Sequence, residues 1–532
     1  MKKTTLYIVI LAVFGGIFFF SYLGGWDLWN PDEPRYAQVA REMLQGEGWI
    51  IPHLNSAVYY DKPPFLFWLI AGAAKVLGGM SEAAARLPSA CFGLLTVILL
   101  FFFGKRLFDQ RTGFFAAFVL ATCGEFFWLA RRADLDITLT FFTTLAIFLF
   151  YDGYHQQRWR FLYYLVAYGA MAVGFFTKLY PALICPFFAI AGYFLWQRRF
   201  RFFFDPAHLP GIALFVAMIG GWLYLAYLQG GMDYLLGLLF HKTASTFFVT
   251  YGHREPFFYY FWNFPANFLP WTLFVPSAII YGIRVKEKKA IVFLFLWFAL
   301  VFLFFSLAQA KRELYILPAY PAVALVIGKF WADVGSKKER DPRLLSWPLV
   351  PMLGILFITG IAAPFLADLF THQYLSHALE TGVAAAVVFA GGSLLAFFSY
   401  RWNKKAFTFF IIVAMMFVFS IYGVFRIFPE INRYKSARPL SQEVVKMMGP
   451  RDQLGVFGLE GADYNYYTGY NRMIRFEDVA ALKTALRSSG RVFCILPEKS
   501  YDALKQDSTL RTFAVAQGQV GHRRLVVISN RP

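Results

Sequence analysis

Apolar runs of roughly 20 residues, broken by short polar stretches, recur from Leu6 to Phe428. Each is long enough to cross a hydrocarbon core of about 30 Å as a helix. The pattern predicts thirteen spans, near residues 5–23, 83–103, 113–130, 137–154, 161–177, 179–196, 209–228, 258–281, 290–308, 315–333, 347–367, 381–400 and 406–428. The first run follows Lys2 and Lys3 and lacks an A-x-A cleavage site, so it reads as a retained span rather than a signal peptide. Two connections, 24–82 and 229–257, are long, and loops of such length are usually functional. In the first, Val39, Ala40, Met43 and Leu44 recur at helical spacing between Asp32 and Gln45. Phe65–Leu77 is apolar but too short to span, and is expected to lie at the membrane interface. After Pro429 the periodicity changes. Residues 455–460, 491–496 and 524–529 read as strands, and 439–448 and 477–488 as helices, which is the pattern of a small soluble α/β domain. The expected architecture is a polytopic α-helical membrane domain, 1–428, followed by an α/β domain, 429–532.

Composition agrees. With 58% hydrophobic and 16% charged residues, the chain lies outside the range of ordinary soluble proteins. A net charge of +19 would suggest nucleic acid in a soluble chain. Here the basic residues concentrate in alternate short loops, the positive-inside distribution, so nucleic acid is not an expected partner. That side is cytoplasmic, and an odd number of spans puts both long loops and the C-terminal domain outside. The four cysteines show no metal-ligand spacing, and no GxGxxG or Walker loop is present.

Unusual residues gather on the outer face. Pro31-Asp32-Glu33-Pro34-Arg35-Tyr36 and Tyr60-Asp61-Lys62-Pro63-Pro64 lie in the first long loop. Asp32 has two readings: an N-cap for the helix it precedes, or a carboxylate that removes a proton from a substrate hydroxyl. In Arg131-Arg132-Ala133-Asp134-Leu135-Asp136, Asp134 reads as a solvated turn flanked by snorkelling arginines, whereas Asp136 opens an apolar run. Glu125 is an intramembrane carboxylate, either functional or neutralised by Arg131 or Arg132. Lys178, Arg254 and Lys311 are cations on the side where positive-inside bias disfavours them. They would bind a phosphate, pair with acids of the first loop, or both. Asp61 with His253 would begin a divalent-metal site, although no local ligand spacing supports one. Tyr464 and Tyr467 follow a strand and would either stack on a sugar or pack on the membrane domain.

The stretches WNPDEPRYAQVAREM and YYDKPPFLFW resemble bacterial GT-C glycosyltransferases that use polyprenyl-phosphate sugars. This group includes aminoarabinose lipid A transferases and the related dolichyl-phosphate-mannose protein mannosyltransferases. RADLDITLTFF, FFTKLYPALICP and KRELYILPAYPAVAL look like later family segments in the expected order. The resemblance implies that Asp32 is the catalytic carboxylate, with Glu33 its companion and Asp136 the acid opening the fourth span. Lys62 would face the donor phosphate together with Lys178, Arg254 and Tyr315. Arg35, Tyr60, Lys311, Tyr464 and Tyr467 complete the substrate-binding candidates. Asp61 stands where the lipid A transferases tend to have glutamate, and Leu179 where glycine is common. The implied function is inverting transfer of a sugar from undecaprenyl phosphate to lipid A, at the periplasmic face of the bacterial inner membrane. Transfer to protein or to another envelope glycan is the alternative. A lipid flippase is the non-enzyme reading, weakened because no internal repeat is evident.

Overall fold

The computed structural model of the chain describes residues 2–46, 48–156, 158–241, 254–285, 287–336, 341–371, 375–507 and 510–532. Backbone amides in hydrocarbon find no water, so crossing segments close their hydrogen bonds as helices. Among the described residues, ten helices are long and apolar enough to cross a membrane. Two bent pairs add to these: Gln110–Ala121 with Gly124–Ala130, at 72°, and Tyr259–Asn267 with Trp271–Arg284, at 111°. The helix Pro181–Trp196, at the place of the sixth expected span, has only 16 residues. The thirteen expected spans therefore separate into ten long helices, two bent pairs and one short helix. Only the first ten meet the length and composition of a straight crossing.

The helices that build the site are α1 (Lys2–Phe20), α2 (Glu33–Leu44), α3 (Phe65–Val76), α4 (Glu82–Leu107), α5 (Gln110–Ala121), α6 (Gly124–Ala130), α7 (Leu135–His155) and α8 (Arg160–Lys178). Helix Tyr320–Gly335 runs through the centre, buried from Tyr320 to Val334. It meets α5 backbone to backbone: a Cβ on Gly328 would lie 2.5 Å from the Ala116 amide nitrogen, so only glycine fits. The two bends dock on one another. The Gly124 amide donates to the Leu269 carbonyl at 3.1 Å, and the Trp271 indole donates to Thr122 Oγ1 at 3.0 Å. Backbone groups released at the kinks thus find partners inside the protein.

In the first loop, α2 forms as expected, with Pro34 in its first turn. Its apolar stripe of Tyr36, Val39, Ala40 and Met43 buries against Leu66, Phe67 and Ile70 of α3. A two-stranded hairpin, β1 (His53–Leu54) and β2 (Ala57–Val58), joins them. The apolar stretch over α3 is therefore largely a packing surface, with Val76 and Leu77 left exposed.

The C-terminal region holds a five-stranded sheet of β3 (Gln453–Phe457), β4 (Ile474–Phe476), β5 (Val492–Pro497), β6 (Phe513–Val520) and β7 (Arg523–Ser529), in the order β4-β3-β5-β7-β6. β3 is parallel to both β4 and β5, while β7 is antiparallel to β5 and β6. The sheet rests on the first loop through helix Ala462–Thr468, whose Tyr466 enters the apolar cluster of α2 and α3.

Candidate active site

The backbone of the first loop is anchored by Arg86, one turn into α4 and completely buried. Its guanidinium donates to the carbonyls of Leu23 (2.8 Å), Trp26 (2.8 Å) and Asp27 (2.6 Å). It also grips Glu33, Nε to Oε1 at 2.7 Å and Nη2 to Oε2 at 3.0 Å. The Glu33 carboxylate further accepts the amides of Trp29 (3.1 Å) and Ala133 (3.0 Å). Burial opposes its ionisation, but Arg86 and Arg132 prevail and hold its carboxyl below the usual range. With its oxygens filled and no exposure to solvent, Glu33 is placed as a strut rather than at a reacting atom.

That strut presents its neighbour. Asp32 sits at the start of α2, yet its side chain makes no capping bond, so the N-cap reading does not hold. Its Oδ1 accepts from Arg35 at 2.7 Å and its Oδ2 from Arg312 at 2.9 Å. Burial raises its pKa, but the two guanidiniums more than offset this and hold the carboxyl down to about 2. Arg35 also lies 3.9 Å from Asp61 and 3.8 Å from Glu460.

Beside this triad is a cavity of about 100 Å³ whose polar wall is Asp61, Lys62, Asp136, Lys178 and Tyr315. Leu139, Pro181 and Phe305 make much of its apolar wall. Lys178, at the C-terminus of α8, places Nζ 2.6 Å from both oxygens of Asp136 in the first turn of α7, and packs 4.5 Å from the Tyr315 ring centroid. Leu179, which ends α8, has φ +58°, a conformation that glycine adopts freely and a branched residue only under strain. Lys62 is half-buried and makes no side-chain hydrogen bond or ion pair among the described residues. Burial first, then Lys178, lowers its ammonium to about 8 against the pull of Asp61, Asp32 and Asp136. The cavity thus offers one uncommitted cation and one salt-bridged cation to an anion held among apolar walls.

The other expected residues are placed as follows. Arg254 is exposed and pairs with Ala310, a wall residue of the cavity, through an isolated backbone bridge. Tyr60 is 40% exposed and packs on Tyr234. The Lys311 ammonium is taken up by the carbonyls of Glu255 and Ala308, the latter a wall residue of the cavity. The Tyr467 hydroxyl receives the Leu28 amide at 2.6 Å, which fits packing on the first loop. Tyr464 is buried in the core of the C-terminal sheet. Asp134 is no solvated turn; it is buried, and its Oδ1 caps α7 at the Asp136 amide (2.7 Å). Arg131 turns to the carbonyls of Phe18 and Ser21, and Arg132 to the Trp29 carbonyl, so neither bonds Glu125 directly, while the charge of Arg132 still acts on it. His253 lies outside the described residues, and among those described no three His, Cys, Asp or Glu side chains converge to hold a metal. Arg86 and Arg312 carry parts that the spacing along the chain did not assign.

Residues 61–225 match the family Dolichyl-phosphate-mannose-protein mannosyltransferase. An undecaprenyl phosphate-alpha-4-amino-4-deoxy-L-arabinose arabinosyl transferase of Pseudomonas aeruginosa (strain LESB58) is 30% identical over 323 residues, covering 60% of this chain and 58% of that relative's length. An uncharacterised protein of Aquifex aeolicus (strain VF5) is 26% identical over 498 residues, 93% of this chain and 92% of that one. Among solved structures, ArnT from Cupriavidus metallidurans bound to undecaprenyl phosphate superposes with a TM-score of 0.82 at 21% identity, covering 99% of this chain and 98% of that one. At that identity the likeness shows a shared fold.

Proposed function

We propose that the chain is a GT-C-type glycosyltransferase, an inverting membrane enzyme, a reading supported by its likeness to the mannosyltransferase family and to the arabinosyl transferases. It would move a sugar, 4-amino-4-deoxy-L-arabinose as the leading identity, from undecaprenyl phosphate to a phosphate of lipid A. We place the reaction at the periplasmic face of the bacterial inner membrane, with residues 1–428 catalytic and 429–532 a periplasmic domain. The observation that carries this reading is the lysine-lined, apolar-walled cavity beside Asp32. A lipid phosphate suits such a cavity, its charge held by Lys62 and its chain by the apolar wall.

In a single displacement an acceptor oxygen forms the new bond to the anomeric carbon while the bond to the polyprenyl phosphate oxygen breaks. Its electron pair leaves with the phosphate. Lys62 and Lys178 would stabilise the charge gathering on that phosphate, with Tyr315 and Arg254 bordering it. Asp136 holds Lys178 in place. A carboxyl held at about 2 is a weak base, poorly matched to deprotonating a hydroxyl near neutral pH. An ionised phosphate acceptor requires no base, which favours lipid A phosphate over a protein hydroxyl. Asp32 then acts as a fixed anion that orients Arg35 and Arg312 and offsets positive charge on the sugar ring in the transition state.

Lipid A mass spectra from cells lacking the protein, complemented with wild type or Asp32→Asn, test this. Wild type should restore a pentose-like increment, and Asp32→Asn should cut transfer by about a hundredfold or more while keeping expression and donor binding. Identical lipid A in all strains would overturn the acceptor assignment.

A further inference from the structure

The donor cavity leaves open where the acceptor's headgroup rests. A second cavity, of about 330 Å³, lies between the C-terminal sheet and the first loop, bordered by Asn30, Lys435, Glu460, Asp463, His522 and Arg523. Its position in the sheet is informative. The chain leaves β3 to form β4 on one side and returns to form β5 on the other, so the carboxyl end of β3 is a topological switch point. Open α/β sheets bind ligands in the crevice such a switch creates. Glu460 and Asp463 follow β3 directly, the β6–β7 turn brings His522 and Arg523 opposite, and the helix Phe428–Lys435 ends there with Lys435.

The lining divides by chemistry. Lys435, His522 and Arg523 make no side-chain hydrogen bond or ion pair among the described residues. Three basic groups bordering one cavity, none of them held in a side-chain hydrogen bond or ion pair and only Arg523 within the field of a lining carboxylate, Asp463, suit a phosphate. Asp463 is buried and accepts from the Asn30 amide, which ties the cavity to the first loop two residues before Asp32. Glu460 is mostly exposed and lies 3.8 Å from Arg35, whose other amino group holds Asp32 at 2.7 Å. The row Glu460–Arg35–Asp32 thus runs from this cavity to the candidate catalytic carboxylate.

We propose that this cavity seats the phosphorylated saccharide headgroup of the acceptor, with Lys435, His522 and Arg523 holding a phosphate and Glu460 and Asn30 meeting sugar hydroxyls. The assignment rests on the transfer reading above and supplies its acceptor side. The C-terminal domain then reads the acceptor, while the membrane domain reads the donor.

The test is equilibrium binding to the full-length protein in detergent micelles, without donor. The probes are a diphosphorylated glucosamine-disaccharide lipid, the same lipid after phosphatase treatment, and phosphatidylglycerol as competitor. Dephosphorylation should weaken binding by about tenfold or more, and the double variant Lys435→Ser/Arg523→Gln should do the same, since each loses charge-assisted hydrogen bonds. Undecaprenyl phosphate affinity should stay within about twofold, because the donor cavity is separate. In transfer assays the acceptor KM should rise by a similar factor. Unchanged glycolipid binding in the double variant, or equal displacement by phosphatidylglycerol, overturns the cavity. If no lipid-linked sugar is ever transferred but glycolipid binding is lost in the variant, the cavity stands and the transfer reading falls.

Discussion

In the proposed reaction Lys62 would give the donor cavity its sensitivity to pH. Its ammonium, lowered to about 8, is charged below that value and neutral above it. Attraction for a lipid phosphate is therefore complete below about 8 and declines as pH rises past it, by up to about tenfold per unit. Undecaprenyl phosphate affinity measured from about pH 7 to 9.5 should show this fall, and Lys62→Met should be weaker and flat; a wild-type profile as flat as the variant's would remove Lys62 from the phosphate. At this scale the sequence was partly legible. The acidic and basic residues of the first loop stand out because prolines and aromatics surround them. Lys311 and Arg312 illustrate what was not. Both are basic and adjacent, but Arg312 has extended backbone, so successive side chains point opposite ways. One meets carbonyls and the other meets Asp32, and nothing in the local pattern sets that phase.

Helix α4 contributes Arg86 to the site, where it binds Glu33 and three carbonyls of the chain leading to α2. Removing one partner of a buried ion pair strands the other, at a cost of about 3–5 kcal/mol. Arg86→Met should therefore lower the thermal unfolding midpoint in detergent and abolish transfer. Adding Glu33→Met should return part of the lost stability, since the stranded carboxylate is gone. A double variant that loses the sum of both single effects would show the two residues acting independently. Arg86 was hidden because it lies inside an apolar run, where hydropathy marks a span and says nothing of what an isolated cation there holds. α2 was visible from its helical spacing, whereas the hairpin between α2 and α3, with Asn55 and Ser56 at positive φ, carries too few residues to show a period.

The membrane domain and the C-terminal sheet meet as one surface. Tyr467 receives the Leu28 amide, Asn432 Oδ1 accepts the Asp27 amide (3.0 Å) and the Trp29 indole (2.9 Å), and Arg438 pairs with Asp27 at 2.7 Å. Tyr467→Phe leaves the Leu28 amide without its acceptor, costing about 1–3 kcal/mol. Hydrogen exchange should then quicken together in the segment leading into α2 and in helix Ala462–Thr468. Faster exchange confined to the C-terminal helix would mean that the loop holds its shape alone. Hydropathy made the spans and the α/β tail legible, because each rests on a local period. It could not show that Tyr466 and Tyr467 are docking residues, since their partners lie more than 400 positions away. Nor could it show the two bends, which read as uninterrupted apolar runs. Those bends carry an implication for how such chains diverge and how they can be recombined. Each supplies the hydrogen-bonding partner that the other's broken turn requires, so a graft that imports one without the other would strand a polar backbone in oil. The segments around 122 and 270, far apart along the chain, form a single unit of exchange, to be swapped or inherited as a pair.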